Sequence, residues 1–381
     1  MRAEALVTEA CAQTGLDDFG GDSFREGLEV WCDAVESEAQ LNDIGNIALR
    51  ANAVGALANR LKITHYRKEH PDVASETVDE PLVVVGLFRA GTTLLSHLLD
   101  RDPANRALLG WEAADPVPPP TPEDFRSGPR LEAARARQAT LNELNPALLR
   151  VRREGADEAT ECVALIAQDF KSMLWEAISI VPSYGEWLHD VDQLSAYEYH
   201  RRVLQVLQHG GVAGRWTLKS PHHAIALEPL IAVYPDAHLV VLHRDPVKLC
   251  GSVCSLIATI SGTFSDADHR TYIGEHWTSI LETCIERINA FRDAHPDRAV
   301  IDVQYSDLIR DPVGTVATIY DATDSVMSPA TADAMASHAH HNPKGKFGKH
   351  AYDLADFGVD ADEIRERFAS YVERYQVAPE R

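Results

Sequence analysis

The segment from Leu82 to Leu99 restricts the fold of this chain more than any other stretch. Residues 82–88 (LVVVGLF) follow Pro81 and form an aliphatic run typical of a strand buried on both faces. A glycine-containing turn comes next, and residues 92–99 then have the pattern of a short helix that ends before Asp102. A buried strand that passes directly into a helix is the repeating unit of α/β folds.

Further strand patterns alternate with helical patterns in the second half of the chain. The candidate strands are residues 216–218 (WTL), 238–243 (HLVVLH) and 300–305 (VIDVQY). This alternation predicts a three-layer α/β fold, in which a central parallel sheet is flanked by helices. The apolar residues over 24–62 have helical spacing, which predicts an N-terminal helical cap. Residues 129–209 have a mostly helical pattern and an aromatic-rich middle, which predicts a helical insert.

The charge balance limits the ligands that this chain can hold. Its 58 acidic residues exceed its 36 basic residues, which gives a formal net charge of −22. Such a chain is a poor nucleic-acid binder, and an anionic ligand must be held by locally clustered cations and backbone N–H groups. The sequence has six scattered cysteines and a charged N-terminal stretch, which predict a cytoplasmic protein. It has no apolar run of about 20 residues, which predicts that no transmembrane segment is present. Whether the protein forms a homo-oligomer stays open.

The loop at residues 86–93 has the composition of a phosphate-binding turn. Its glycines allow close backbone approach, and the following helix offers N–H groups and partial positive charge. The spacing is P-loop-like, matching the start of GxxxxGK[ST], but Thr92 stands where that motif requires lysine and the cation is Arg89 inside the loop. This favours a sulfonated 5′-phosphate ligand without metal over a nucleoside triphosphate. The alternative is an ordinary βα turn with two glycines.

A second loop follows the candidate strand at 238–243. Arg244 stands at the strand end, Asp245-Pro246 suits the start of a helix, and Ser252 lies eight residues beyond the arginine. An arginine there can bind a phosphate through two hydrogen bonds, and the serine can reach the same group. Helix capping alone would explain Asp245 and Pro246 but not the neighbouring Arg, Lys and Ser.

These segments resemble the sulfotransferases that use 3′-phosphoadenosine 5′-phosphosulfate (PAPS), especially their bacterial, actinobacterial-type branch. The resemblance covers roughly residues 82–375, and the segments that carry it are RAGTT, HRDP…GS, WTLKSPHH, YSDLIRDPVGTVATIY and GKHAYDLADFGVD. The resemblance implies 5′-phosphosulfate binding by Arg89, Ala90, Gly91, Thr92, Thr93 and Leu94. It implies 3′-phosphate binding by Arg244 and Ser252, and a cover over the donor that includes Lys346 and Lys349. Arg89 departs from the lysine common in cytosolic members.

The same resemblance implies one sulfotransferase domain over residues 1–375. Its parts are the helical cap (1–75), the nucleotide-binding core (82–112 and 214–320), the helical insert on the acceptor side (113–213) and the C-terminal covering segment (338–375). PAPS is the expected cofactor and adenosine 3′,5′-bisphosphate (PAP) its product. The expected acceptor is a hydroxyl group of a small molecule, with an amine as the alternative, and no metal is expected.

Sulfuryl transfer to a hydroxyl requires stabilised leaving-group charge and a general base. Arg89 is expected to position the bridging oxygen and to stabilise charge on the leaving group. Lys219, in the turn at a third strand end, is expected to be a second cation on the transferring group. Glu112 is the preferred base, followed by His223 and then His222. The three candidate bases and Lys219 each also have a non-catalytic interpretation. Glu112 would be a surface or salt-bridged carboxylate, the two histidines would be hydrogen-bonded residues at a helix start, and Lys219 would be a solvated turn residue.

The acceptor and two rival functions stay open at this point. Phe170, Trp175, Tyr184 and Trp187 either line a pocket for a lipophilic alcohol or phenol, or are plain core. One rival is a P-loop nucleotide kinase or NTPase. Asp302, inside a predicted strand, is the one carboxylate that could bind Mg²⁺ in that case, and no obvious Mg²⁺-binding carboxylate stands at a strand end. The other is a nucleotide-binding protein without catalysis.

Overall fold

The computed structural model of the protein describes residues 1–144, 146, 155–342 and 352–380. Lys346 and Lys349, the two lysines expected to cover the donor, lie outside the described residues, so their roles stay predictions.

A five-stranded parallel sheet forms the centre of the fold. Its strands are β1 (Leu82–Gly86), β2 (Asn105–Ala107), β3 (Arg215–Ser220), β4 (His238–His243) and β5 (Val300–Gln304). They are arranged in the order β2-β3-β1-β4-β5, and all four neighbouring pairs are parallel. All residues of β1 are buried, because the strand lies in the middle of the sheet with helices on its faces. The predicted α/β fold is confirmed.

β1 and β5 end at Gly86 and Gln304, one or two residues before their predicted ends, and two other strands differ more from the sequence prediction. β2 was missed because it is a three-residue edge strand, Asn-Arg-Ala, whose polar side chains hide the usual apolar signal. β3 continues past the apolar Trp-Thr-Leu segment through Lys219 and Ser220, which pair in register with Val84 and Val85 of β1. A lysine interrupts the hydrophobic pattern, but here its side chain is buried and paired with a carboxylate.

Helices surround the sheet on both sides. The helices before β3 are α1 (Ala3–Thr14), α2 (Arg25–Glu38), α3 (Asp43–Glu69), α4 (Thr92–Leu99), α5 (Gly110–Ala114), α6 (Pro129–Leu144), α7 (Val163–Ile166), α8 (Met173–Ile178), α9 (Pro182–Asp190) and α10 (Leu194–His209). Those after β3 are α11 (Leu227–Val233), α12 (Pro246–Phe264), α13 (Arg270–Ala294), α14 (Tyr305–Arg310), α15 (Pro312–Asp321), α16 (Pro329–His341), α17 (Ala361–Arg367) and α18 (Ala369–Tyr375).

The aromatic residues of the helical insert, between β2 and β3, pack mainly in the core. Phe170 and Trp175 stack at a centroid distance of 4.8 Å, and Trp31 of α2 packs against both. Tyr184 is also fully buried, whereas Trp187 is half-buried and donates from its indole N–H to Glu26. These rings therefore join the α2 region to the helical insert, which accounts for their spacing without a ligand.

One helix is long and apolar enough to cross a membrane by length and composition alone. This helix is α12, which packs against α3, α8 and α13. Core helices of globular proteins meet the same criterion, so the finding is weak evidence either way.

The turn from β1 into α4 depends on the absence of a side chain at Gly86. A Cβ added at Gly86 would lie 2.0 Å from Cγ2 of Thr92, the first residue of α4. The helix can therefore begin directly over the end of the strand only because position 86 is glycine.

We expect Gly86→Ala to lower the free energy of unfolding by about 1–3 kcal/mol, since the added methyl group must displace the first turn of α4. Gly55→Ala is the matched control, because nothing lies within 4 Å of a Cβ added there in the middle of α3. The control should instead raise stability by about 0.5–1 kcal/mol. Urea unfolding of both variants checks this, and equal stability of the two would contradict the close approach at Gly86.

Candidate active site

The two predicted anion-binding loops lie side by side at one edge of the sheet. β1 and β4 are neighbouring parallel strands, with Gly86 paired to Leu242, so the segments that follow them leave the sheet at the same edge. In parallel sheets this edge, beyond the carboxyl ends of the strands, is where ligands bind.

The first loop, residues 87–91, has the backbone shape of an anion-binding turn. Arg89 and Gly91 have left-handed φ angles of 67° and 97°, and Ala90 between them is fully buried and donates its N–H to the carbonyl of Leu87 at 3.2 Å. α4 begins at Thr92, so its first N–H groups face the loop.

The residues that open α4 differ in their access to a ligand. Thr92 is buried, whereas Thr93 and Leu94 are half-buried. A left-handed arginine is unusual, because the conformation costs free energy for any residue with a Cβ. Here it directs the Arg89 side chain toward the second loop.

Arg89 links the two loops through Ser252. Its Nε–H donates to Oγ of Ser252 at 3.0 Å, and Ser252 is a buried residue of α12. From the sequence, these residues were assigned to different phosphate groups of one ligand. The structure brings them into direct contact.

Arg244 makes the second link between the loops. Its Nη1–H donates to the backbone carbonyl of Arg89 at 2.6 Å, and its backbone N–H donates to the hydroxyl of Tyr371 at 3.1 Å. The predicted cap is confirmed, since the carboxylate of Asp245 accepts from the N–H of Val247 at 2.9 Å in the first turn of α12. The guanidinium of Arg244 is therefore held at the strand end by contacts on several sides.

Three tyrosines of this region were not identified as site residues from the sequence. The ring of Tyr305 lies 4.1 Å from the guanidinium carbon of Arg244, and a Cβ added at Gly91 would be 2.8 Å from that ring. Tyr352 packs on Gly251 and donates to the carbonyl of Lys248 at 3.3 Å, and Tyr371 contacts Arg244 as described above. Tyr305 lies in the quoted YSDLIRDP segment, so that motif was the available signal.

Lys219 lies on the sheet face where α4 begins. It pairs in register with Val84, and Val84 shares a face with Gly86, over which Thr92 packs. The lysine is almost fully buried, and its Nζ donates to Oε1 of Glu161 at 3.0 Å.

A backbone hydrogen bond holds Glu161 in place. The N–H of Cys162 donates to the carbonyl of Lys219 at 2.9 Å, which ties the segment containing Glu161 across the end of β3. Lys219 is thus a paired residue of a strand end and not a solvated turn lysine.

Glu112 is fully buried in an ion pair. Its two carboxylate oxygens accept from the two Nη groups of Arg106, one bond being 2.9 Å long, and Oε2 also accepts from the N–H of Leu109 at 2.9 Å. Both residues are about 1 % exposed or less. The carboxylate therefore caps α5 and neutralises an arginine of β2.

His222 and His223 lie in a buried 3₁₀ turn, Pro221–Ile225, directly after β3. Burial lowers the pKa of His222 to about 3 and that of His223 well below its ordinary value, so both rings are neutral near pH 7.

The ring nitrogens of the two histidines have different partners. Nδ1 of His222 accepts from the N–H of Met173 at 3.3 Å, which assigns the ring proton to Nε2. Nδ1 of His223 is 2.7 Å from the hydroxyl of Tyr197. Neither Nε2 has a hydrogen-bond partner among the described residues.

The arrangement can bind an anion with two separated charged groups. Arg89, Arg244, Ser252 and the first turn of α4 supply the donors of the two adjacent loops, and Lys219 adds a cation on the α4 face. Within the described ranges, no group of three or more His, Cys, Asp or Glu side chains could hold a metal ion.

Comparison with known proteins identifies the family. Residues 81–329 match the sulfotransferase family. The chain is also 25% identical over 260 residues to an omega-hydroxy-beta-dihydromenaquinone-9 sulfotransferase, Stf3, of Mycobacterium bovis and of Mycobacterium tuberculosis. This match covers 65% of the chain but only 63% of the length of those relatives.

Two crystal structures are similar over nearly the whole chain. Sulfotransferase STF9 of Mycobacterium avium is 32% identical with a TM-score of 0.90, and the match covers 99% of this chain and 97% of that one. Sulfotransferase STF1 of M. tuberculosis H37Rv is 35% identical with a TM-score of 0.87, covering 97% and 99% respectively. The match of residues 81–329 and these two likenesses show that the chain belongs to the sulfotransferase family.

Proposed function

We propose that this protein transfers a sulfuryl group from PAPS to a hydroxyl group of a small, lipophilic acceptor. The observation that carries the proposal is the contact between the two loops, in which Arg89 and Arg244 converge with Ser252 at the ends of β1 and β4. Family membership implies a sulfate donor, and two anion-binding sites joined in this way match a donor with phosphate at both its 3′ and 5′ positions.

Each end of the donor has its own binding groups in this proposal. Arg244 and Ser252 hold the 3′-phosphate, because a guanidinium can form two parallel hydrogen bonds to a phosphate and the serine hydroxyl adds a third. The 5′-phosphosulfate lies in the turn from Arg89 to Thr93, against the N–H groups that open α4. Both loops work against the net charge of −22, so local geometry must supply the affinity.

The transfer step breaks the bond between sulfur and the bridging oxygen of the donor. The acceptor oxygen attacks sulfur in line, the bridging oxygen leaves with the electron pair on PAP, and a base takes the acceptor's proton. Arg89 and Lys219 neutralise charge on the leaving and transferring oxygens. Lys219 shares the α4 face with this loop, which supports its role, and it must exchange its contact with Glu161 to act there.

The proposed acceptor class rests on a relative. The curated relative is named as an omega-hydroxy-beta-dihydromenaquinone-9 sulfotransferase, and the compound in that name is a lipophilic molecule with a hydroxyl group. This supports a lipophilic alcohol here, but the core positions of Phe170 and Trp175 give no pocket wall. Cytoplasmic location and a homo-oligomer stay predictions.

The identity of the base stays a prediction, with Glu112 first, His223 next and His222 third. Glu112 and His222 would have to change their present contacts or tautomer to act. Glu112 is fully enclosed by Arg106 and Leu109, and the proton of His222 occupies the nitrogen that has no partner. For His223, the unpartnered Nε2 carries the lone pair if Nδ1 donates to the Tyr197 hydroxyl.

Of the two rival functions, the kinase or NTPase finds less support in the site. A kinase or NTPase would need a lysine at position 92 and a carboxylate for Mg²⁺, and Asp302 already accepts from His243 at 2.7 Å and from Arg292 at 2.5 Å. A protein that only binds nucleotide would have the same loops, so transfer must be measured directly.

We expect PAP to raise the melting temperature without added metal. A dissociation constant one hundred times below the PAP concentration would add about 2.7 kcal/mol of stability. Arg244→Ala should abolish most of the shift, measured against the variant's own ligand-free value, because it removes the proposed 3′-phosphate contact.

Arg270→Ala is the matched control, since Arg270 pairs only with Asp268 on the surface among the described contacts and should keep the full shift. Stronger stabilisation by ATP–Mg²⁺, or an unchanged shift in Arg244→Ala, would overturn the donor assignment. Transfer of label from ³⁵S-PAPS to alcohols, phenols, amines and lipid extracts tests catalysis. Tight PAP binding without transfer to any acceptor would favour the non-catalytic rival.

We expect Glu112→Ala to lower the free energy of unfolding by about 3–5 kcal/mol, because it leaves the buried charge of Arg106 without its partner. Glu132→Ala is the control, since Glu132 forms an exposed pair with Arg135 and should cost less than about 1 kcal/mol. Urea unfolding checks both values. A Glu112→Ala protein of unchanged stability that has lost turnover but still binds PAP would instead support the catalytic role.

A further inference from the structure

A carboxylate of the chain already occupies Arg244. Oε1 of Glu380 accepts from Nε of Arg244 at 2.6 Å, and Oε2 accepts from Nη2 at 3.1 Å. The two hydrogen bonds run from one edge of the guanidinium to both carboxylate oxygens. This is also the geometry in which arginine binds phosphate.

The rest of the segment after α18 delivers this carboxylate to the site. Val377 is buried and its N–H donates to the carbonyl of Val372 at 3.0 Å, which fixes where the chain leaves the helix. The N–H of Glu380 donates to Oδ2 of Asp245 at 2.7 Å, the residue next to Arg244. Backbone as well as side-chain contacts therefore place Glu380 on the arginine.

We infer that Glu380 is an intramolecular competitor of the donor's 3′-phosphate, and that its carboxylate and the phosphate bind Arg244 in turn. This rests on the proposed function, because it takes Arg244 as the 3′-phosphate residue. It makes Glu380 a determinant of nucleotide affinity and of product release at the donor site.

The geometry requires an exchange and excludes simultaneous full binding. Nη1 of Arg244 is engaged by the carbonyl of Arg89, and the edge formed by Nε and Nη2 is engaged by Glu380. A phosphate that takes two hydrogen bonds from this edge must displace the carboxylate. The phosphate has more negative charge and a third oxygen for Ser252, so it can win the exchange at the expense of part of its affinity.

Burial makes the competition significant. The Arg244 side chain is 12% exposed and that of Glu380 is 24% exposed, so the pair is partly removed from water and less screened than a surface ion pair. The remaining exposure of the carboxylate gives it a path to solvent when the nucleotide enters. When PAP leaves, Glu380 can return to the arginine, so the contact also favours product release.

The test compares dissociation constants for two nucleotides in the full-length protein. We expect Glu380→Gln to tighten PAP binding about tenfold, because the amide competes less well than the carboxylate for the guanidinium. Adenosine 5′-monophosphate, which lacks the 3′-phosphate, should bind both proteins equally. Equilibrium dialysis at fixed ionic strength measures these constants without relying on the melting temperature.

Glu373→Gln is the matched control, because it removes the same charge from an exposed position of α18 and should change neither constant. Stopped-flow displacement should also show about tenfold slower PAP release from Glu380→Gln. Equal PAP affinity in wild type and Glu380→Gln would overturn the inference, and so would equal tightening for adenosine 5′-monophosphate. Absence of PAP binding by both proteins would overturn the proposed function itself, and the competitor role with it.

Discussion

The candidate site depends on the hydrogen bond that the guanidinium of Arg244 donates to the first loop. The guanidinium joins the loop after β1 to the loop after β4 through the carbonyl of Arg89, and it lies over the ring of Tyr305. Because β1 and β4 are parallel neighbours, both loops leave the sheet at the same edge, but pairing of the strands alone does not fix the loops on each other. Arg244 does so, together with the hydrogen bond from Arg89 to Ser252. The left-handed backbone at Arg89 is the conformation that these contacts hold in place.

The sequence was sufficient to predict the parts of the fold whose signals are local. The aliphatic runs located β1 and β4, the glycine turn located the start of α4, and Asp245-Pro246 located the start of α12. β2 could not be predicted in this way, because an edge strand of three residues, two of them polar, leaves no periodic pattern. The extension of β3 through Lys219 depends on Glu161, which is 58 residues away in the chain.

The same distinction applies to the site. The two loops were identified because each has a motif of its own, whereas the groups that contact them come from distant segments. Glu380 is 136 residues from Arg244, and the contact between Arg89 and Ser252 spans 163 residues. No spacing rule connects such positions, so a single sequence identifies which residues suit an anion but not which carboxylate lies on them. Glu112 illustrates the converse, since the sequence analysis prefers it as the base while the structure shows it in a buried ion pair with Arg106.

The solvent exposure of the carboxylate decides whether an ion pair of this protein can exchange its partner. The Arg106–Glu112 pair has both side chains about 1 % exposed or less, so neither partner can be exchanged without opening the core. In the pairs of Lys219 with Glu161 and Arg244 with Glu380, the cation is the more buried partner and the carboxylate is 28% or 24% exposed. A cation that is fixed in the fold, paired with a carboxylate that reaches water, can exchange its partner for an incoming anion at low cost. In a chain of net charge −22, we propose that such pairs keep the cations of the site in position until a ligand with higher negative charge replaces the carboxylates.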